Sequence, residues 1–161
     1  MATAGKNLSE LDLNLKGRGY KIALVVAEWN SEITTALKEG AIKALVEAGV
    51  WKRDILSVEV PGSFELAFGA KQVLKHKLVD AVICIGSVIK GETAHFDFVC
   101  QGTTYGIQKL NLEGDVPVIF CLLTDNTIQQ ARDRSGGKHG NKGVEAAVTA
   151  LKMIKLKEGL Q

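Results

Sequence analysis

Two glycines, a hydroxyl, a carboxylate and an imidazole lie close together in the segment 86–96, which reads GSVIKGETAHF. It follows residues 80–85, an apolar stretch typical of a buried strand, and precedes a predicted helix. In parallel sheets, ligands bind at the carboxyl ends of strands, where helix amino termini point free N–H groups at anions. Histidine titrates near neutral pH and transfers protons readily. The segment therefore predicts an anion site at Thr93, with His95 as a proton-transfer group beside it.

Familiar nucleotide-binding motifs fit this chain poorly. Gly86 and Gly91 have the spacing of a Walker loop, but Glu92 stands where that loop needs lysine, and its carboxylate would repel phosphates. The turn after the first predicted strand, residues 28–31, contains no glycine. This turn disfavours a dinucleotide fingerprint or a flavin phosphate loop. The sequence thus argues against an NTPase and against a dinucleotide-binding protein.

Composition is ordinary for a globular domain, with 161 residues of which 46% are hydrophobic and 24% charged. The formal net charge of +2 is too small to indicate nucleic acid as a partner. The charge is uneven, however, because residues 126–161 carry seven Lys/Arg against three Asp/Glu. A local basic patch of this size suits a small phosphorylated ligand better than a duplex.

The cysteines and the hydropathy pattern bear on compartment and metal binding. Cys84, Cys100 and Cys121 are too few and too scattered for a disulfide framework or a zinc site. The first twenty residues lack the apolar core of a signal peptide, and no apolar run approaches the ~18 residues of a membrane span. We expect a cytoplasmic protein that binds neither a metal nor a membrane.

Apolar runs alternate with helical patterns along the chain and predict an α/β fold with a parallel sheet. Strands are predicted over residues 20–27, 55–60, 81–89 and 118–123, each followed by a helix. A glycine-rich loop, residues 135–143, precedes the last helix. Residues 11–15 alternate with period two and predict an extra edge strand, paired with this sheet or with a neighbour's. We expect one domain over residues 1–161, with an amino-terminal arm over 1–19 and the α/β core over 20–158.

The four strand-end turns should meet at one rim of the sheet. Trp29 and Phe120 offer two rings that would sandwich a planar heterocycle, since Phe120 lies close to the predicted end of the fourth strand. Asn30 and Glu65 would bind the polar edge of that heterocycle. The start of the third helix and Arg134 would hold a phosphate.

Three segments of the chain resemble the lumazine synthases of riboflavin biosynthesis. They read VPGSFE (60–65), GETAHFD (91–97) and GKHGNKG (137–143), and they occur in the family's order and spacing. The resemblance implies a flavodoxin-like three-layer sandwich, with a four-stranded parallel sheet, helices on both faces and an amino-terminal edge strand. It implies the condensation of 5-amino-6-(D-ribitylamino)uracil with 3,4-dihydroxy-2-butanone 4-phosphate. The products would be 6,7-dimethyl-8-ribityllumazine, phosphate and water, in the penultimate step of riboflavin biosynthesis.

The resemblance also implies roles for individual residues. His95 matches the proton-transfer histidine. Pyrimidine and ribityl binding falls to Trp29, Ser63, Phe64, Glu65, Ser87, Val88, Ile89 and Phe120, to which the strand-end argument adds Asn30. Phosphate binding falls to Glu92, Thr93, Arg134 and Lys142. Phe120 corresponds to an aromatic residue that the adjacent subunit contributes. Trp29 stands where many members have phenylalanine, and Phe64 replaces a frequent tryptophan, but both keep a flat apolar ring.

Partners and cofactors follow from the same resemblance. The reaction needs proton transfers and anion stabilisation, but no metal and no redox cofactor. The family forms pentamers, some of which pack into sixty-subunit icosahedral shells, and riboflavin synthase is a candidate partner. Neither nucleic acid nor a membrane is implied. Two other readings remain open: a non-catalytic shell or flavin-binding module, and another phosphosugar enzyme on the same fold.

Overall fold

The computed structural model describes residues 15–160. The extra edge strand predicted over residues 11–15 lies outside this range except at Leu15, which belongs to no strand. Among residues 15–160, no helix is both long enough and apolar enough to cross a bilayer. The same residues contain no cluster of three or more His, Cys, Asp or Glu side chains arranged to hold a metal ion.

Four parallel strands form one sheet in the order β2-β1-β3-β4. Their bounds are Ile22–Ala27 (β1), Ile55–Val60 (β2), Ala81–Ile89 (β3) and Val118–Asp125 (β4). The helices are Ser31–Glu47 (α1), Leu66–His76 (α2), His95–Glu113 (α3), Ile128–Arg134 (α4) and Lys142–Glu158 (α5). Short 3₁₀ turns precede β2 and α2, at Lys52–Asp54 and Ser63–Glu65.

Several predicted bounds differ from the structure. Strand β1 begins at Ile22 rather than at residue 20. Strand β4 continues two residues past its expected end, because its backbone pairing with β3 extends to Ile89 and Asp125 after the apolar run has stopped. The predicted glycine-rich loop is partly ordered as a small antiparallel hairpin, formed by Ser135–Gly137 (β5) and Gly140–Asn141 (β6).

Alternating side chains divide the core into two apolar clusters, one on each face of the sheet. Along β3, Ile83 and Ile85 belong to the cluster that α1 and α5 cover. Val82 and Cys84 belong to the cluster that α2 and α3 cover. Every residue of β1 is buried, as expected for a central strand with helices on both faces. The chain therefore forms the expected flavodoxin-like three-layer sandwich.

Two of the three thiols lie inside these clusters. Burial raises the pKa of both Cys84 and Cys121 to about 12, so each remains a protonated thiol at neutral pH. They act as small apolar side chains in the core rather than as nucleophiles.

Candidate functional site

Strand β3 extends beyond β1 at the carboxyl edge of the sheet, and the space beside this extension is here called the crevice. The last residues paired between these strands are Val26 and Ile85, whereas β3 continues to Ile89 alongside β4 alone. The chain leaves β1 toward β2 on one side and later returns to β3 on the other. In doubly wound sheets, ligands bind outside the carboxyl ends of the strands at such a reversal of strand order.

The β1–α1 turn forms one wall of this crevice and presents Trp29. The indole is 74% exposed, while the Trp29 N–H donates to the carbonyl of Pro61 over 3.2 Å. Asn30 caps α1 in the left-handed conformation, with φ 60°, which asparagine tolerates better than most residues. Its Nδ2 donates to the carbonyl of Ser87 over 2.8 Å. Asn30 thus ties the turn to β3, and the Trp29 ring is left free to stack.

The β2–α2 turn places a second aromatic ring in solvent. Phe64 is 60% exposed, and its ring lies against α3 so closely that a methyl group added at Gly102 would be 2.8 Å from its Cε2. The neighbouring Ser63 is buried, and its carbonyl accepts a hydrogen bond from the Thr103 hydroxyl over 3.1 Å. The Glu65 carboxylate is exposed. Helix α3 therefore fixes the turn that carries Phe64 and Glu65.

The end of β3 supplies backbone groups and two apolar side chains. Ser87 is buried, and its hydroxyl has no hydrogen-bond partner among the described residues. Val88 and Ile89 are half-buried at the mouth of the crevice. Because β1 has already ended, their backbone groups on the β1 side are outside any β1–β3 pairing. This segment can therefore bind a ligand through main-chain atoms, but the Ser87 side chain points into the fold.

The β3–α3 turn holds the polar residues singled out in the sequence. Glu92, Thr93 and His95 are all exposed, and His95 is the first residue of α3. The His95 N–H donates to the Thr93 hydroxyl over 3.4 Å. This turn thus presents an imidazole, a hydroxyl and a carboxylate together at the amino terminus of a 19-residue helix, whose partial positive charge favours anions.

Arg134 is the last residue of α4, and its side chain pairs with Asp125, a carboxylate at the end of β4 that the sequence reading missed. Its Nη1 is 3.6 Å from Oδ1 of Asp125 and donates to the carbonyl of Gln130 over 3.0 Å. The Asp125 side chain is 6% exposed and that of Arg134 31%. Burial raises the pKa of Asp125, and Arg134 only partly opposes that rise. The backbone carbonyl of Asp125 accepts from the Lys90 N–H over 2.9 Å, which joins this pair to the end of β3.

Phe120 and Lys142 lie away from the rim, near the middle of β4. The placement of Phe120 close to the strand end was wrong, since it is the third residue of a strand that runs to Asp125, about 16 Å farther along. Its side chain is partly exposed at the sheet edge. The Lys142 carbonyl accepts from the Cys121 thiol over 3.6 Å, and its Nζ contacts Oε1 of Glu145 at 2.7 Å. Lys142, the first residue of α5, thus lies beside the part of β4 that contains Phe120 and Cys121.

The glycine-rich motif at residues 137–143 also has a structural role, which sequence reasoning did not predict. Asn141 donates to the carbonyls of Ala36 and Ser135 over 2.9 and 3.0 Å, and its Oδ1 accepts from the Gly143 N–H over 2.8 Å. A methyl group at Gly40 of α1 would lie 2.5 Å from Cγ of Asn141. The motif therefore locks the β5–β6 hairpin and the start of α5 against α1.

Comparisons with known proteins agree with this arrangement. A family model described as 6,7-dimethyl-8-ribityllumazine synthase matches residues 19–158. The chain belongs to the 6,7-dimethyl-8-ribityllumazine synthase family. The resemblance inferred from three short segments is thereby confirmed over nearly the whole chain.

Curated relatives bear the same name. A 6,7-dimethyl-8-ribityllumazine synthase of Phocaeicola vulgatus is 55% identical, with 100% of this chain and 97% of the relative covered. The one from Christiangramia forsetii is 53% identical, covering 98% and 96%. The one from Flavobacterium johnsoniae is 54% identical, covering 98% and 84%. Relatives of this similarity and length support membership of an enzyme family rather than of a family of binding modules.

Proposed function

We propose that the protein condenses 5-amino-6-(D-ribitylamino)uracil with 3,4-dihydroxy-2-butanone 4-phosphate to give 6,7-dimethyl-8-ribityllumazine, phosphate and water. The observation that carries the proposal is the crevice at the reversal of strand order, which three strand-end turns line with exposed aromatic and polar groups. Family membership supplies the substrates. The reaction would complete the penultimate step of riboflavin biosynthesis, and we place it in the cytoplasm.

The pyrimidine is assigned to the side of the crevice nearest β1 and β2. Trp29 and Phe64 present exposed rings on two adjacent turns, and flat apolar surfaces favour stacking of a heterocycle. Glu65 can accept hydrogen bonds from ring or ribityl donors. The main chain of residues 87–89 can bind the pyrimidine edge, whereas Asn30 and the Ser63 backbone act by holding these turns in place.

The phosphate is assigned to the turn that begins α3 and to Arg134. The Thr93 hydroxyl and the partial positive charge at the start of α3 are suited to an anion, and a guanidinium binds phosphate oxygens in pairs. We assign the exposed Glu92 to the polar part of the butanone phosphate. Holding both reactants in one crevice removes much of the entropic barrier to their condensation.

His95 is assigned the proton transfers. The amine adds to the ketone and loses water to form an imine. A proton is then removed from the carbon between the imine and the phosphate-bearing carbon; the electrons of that C–H bond form a carbon–carbon double bond as phosphate leaves with the electron pair of its C–O bond. The resulting enol tautomerises, and ring closure with loss of a second water gives the lumazine. An exposed imidazole beside the anion site is suited to donate and accept protons at these steps.

We assign Phe120 and Lys142 to the site of a neighbouring copy. Phe120 lies near the middle of the edge strand β4, and Lys142, the first residue of α5, contacts the next residue of that strand, Cys121. Both therefore lie away from the rim that carries the crevice of the same chain. Helix α3 also carries an exposed apolar stripe at intervals of seven residues, Phe98, Tyr105 and Leu112. Such a stripe indicates a surface that another molecule covers. A homopentamer is the proposed assembly, with a sixty-subunit shell and a riboflavin synthase partner as its extensions.

Mixing the two substrates with the protein and recording lumazine absorbance and green fluorescence tests the function directly. Arg134→Ala should raise the KM for the butanone phosphate. Arg132→Ala is the matched control, because Arg132 lies on the same helix but pairs with Glu32 in solvent. Unchanged kinetics in Arg134→Ala would refute its assignment. Binding of both substrates without product would favour the non-catalytic module, and phosphate binding without pyrimidine binding would favour another phosphosugar enzyme.

Complementation tests the shared site. His95→Ala and Phe120→Ala should each lower activity when assembled alone. If each site takes the two residues from different copies, co-assembly of the variants in equal amounts should give about a quarter of the sites both an intact His95 and an intact Phe120. Activity of the mixture equal to the mean of the two variants would place both residues in one chain's site. Light scattering that shows a monomer would eliminate the pentamer.

A further inference from the structure

Arg134 lies between a buried carboxylate and solvent. Asp125 approaches its Nη1 at 3.6 Å from the inner side, and the second carboxylate oxygen of Asp125 has no hydrogen-bond partner among the described residues. The remaining Nη1 contact is with the Gln130 carbonyl, on the same helix as Arg134. The outer part of the guanidinium is therefore the part that can meet a ligand.

We propose that Asp125 is a positioning residue that holds Arg134 as its internal counter-anion and thereby limits the affinity of this site for phosphate. The proposal rests on the proposed function, since it assumes that Arg134 binds the phosphate of a substrate and then of a product. Asp125 touches neither substrate; it acts through the guanidinium.

The physical basis is competition between two anions for one cation. A carboxylate on the inner side and a phosphate on the outer side of one guanidinium would be about 7–8 Å apart, a separation at which like charges still repel appreciably outside bulk water. The Asp125 carboxylate is nearly out of solvent, so water and salt screen it poorly. Burial already raises the pKa of this carboxyl, which shows that Arg134 compensates its charge incompletely.

The arrangement has a use in a reaction that releases phosphate. An unopposed arginine beside helix N–H groups would bind inorganic phosphate as well as the substrate's phosphate ester, and slow release would hold back the next cycle. A fixed negative charge behind the arginine weakens both complexes by a similar factor. It also keeps the guanidinium aligned when the crevice holds no anion.

The test measures binding of inorganic phosphate to the intact assembly by calorimetry, without the pyrimidine. Asp125→Asn preserves side-chain shape and removes the charge, so orthophosphate affinity should rise about three- to tenfold. The KM for the butanone phosphate should fall by a similar factor, and the KM for the pyrimidine should stay unchanged. Asp115→Asn is the control, because Asp115 is exposed beside the opposite end of β4. Adding Arg134→Ala to Asp125→Asn should abolish the gain.

Unchanged or weaker orthophosphate binding in Asp125→Asn would overturn the proposal. So would equal losses for both substrates, which a purely structural aspartate would produce. Asp125→Ser removes the same charge with a smaller side chain and serves as the second variant if the first does not assemble. Failure of the wild-type protein to form lumazine would refute the proposed function instead, while orthophosphate binding would still measure the effect of Asp125 on Arg134.

Discussion

Thr103→Val should weaken binding of the pyrimidine substrate while lowering the stability of the fold only slightly. Thr103 is 1% exposed, and its hydroxyl donates to the Ser63 carbonyl from the neighbouring helix. Valine has nearly the same shape, so the change removes one hydrogen bond without opening a cavity. The Ser63 carbonyl keeps a second bond, from the Leu66 N–H, and is not left unpaired.

The expected cost is therefore that of one buried hydrogen bond, about 1 kcal/mol. For a chain of this length, that corresponds to a fall in Tm of roughly 2–4 °C at fixed protein concentration. The turn that Thr103 holds carries Phe64 and Glu65, so a looser turn should raise the KM for the pyrimidine by up to about fivefold. The KM for the butanone phosphate should be unaffected, because its proposed ligands lie on other turns.

Thr104→Val provides the matched control for thermal unfolding and steady-state kinetics. Thr104 is the next residue of α3, but it is exposed and its hydroxyl donates to the Cys100 carbonyl of its own helix. It should change Tm little and neither KM. Equal effects of the two substitutions would refute the reasoning, and so would a rise in both KM values for Thr103→Val, since that pattern indicates general loosening.

Two further predictions concern the scaffold. The Tyr20 hydroxyl donates to Glu158 over 2.6 Å, which raises the Tyr20 pKa to about 12. This contact should therefore stabilise the fold up to high pH and be lost as pH rises through about 12. Ultraviolet titration of phenolate in a Tyr105→Phe background should show that midpoint, and Glu158→Gln should move it toward about 10. Gly40→Ala should lower Tm although alanine favours helices by ~1 kcal/mol, because the methyl group would meet Asn141, which caps α5. Gly91→Ala should leave Tm unchanged, because a methyl group there meets no atom within 4 Å. A higher Tm for Gly40→Ala would contradict the contact.

The sheet could be read from the sequence because its strands are buried on both faces. Continuous apolar runs gave β2 and β3 with their observed bounds, Ile55–Val60 and Ala81–Ile89. The same signal placed the end of β4 too early, since Thr124 and Asp125 are polar and yet pair with β3. Apolar patterning reports burial, whereas strand length depends on backbone pairing. That error is what put Phe120 near the rim.

The exposed residues of the candidate site could be proposed from the sequence, because they follow strand ends at short spacing. The residues that hold them in place could not be predicted. Asp125, Thr103 and Asn141 act through contacts with residues distant in sequence or through burial, and no local pattern distinguishes them from ordinary polar residues. Asn30 shows the same limit, since sequence position suggested a ligand contact and the structure gives its amide to the Ser87 carbonyl.

The pairing of β3 with β4 brings the turn that carries His95 close to Arg134. Because β3 and β4 remain paired through Ile89 and Asp125, the turn that carries His95 starts beside the carboxylate that holds Arg134. Stacking surfaces lie on the other side of β3, where β1 has ended and leaves room for a ring. In the proposed site, the extension of β3 and β4 past β1 thus provides both the space for a heterocycle and the charged border beside it.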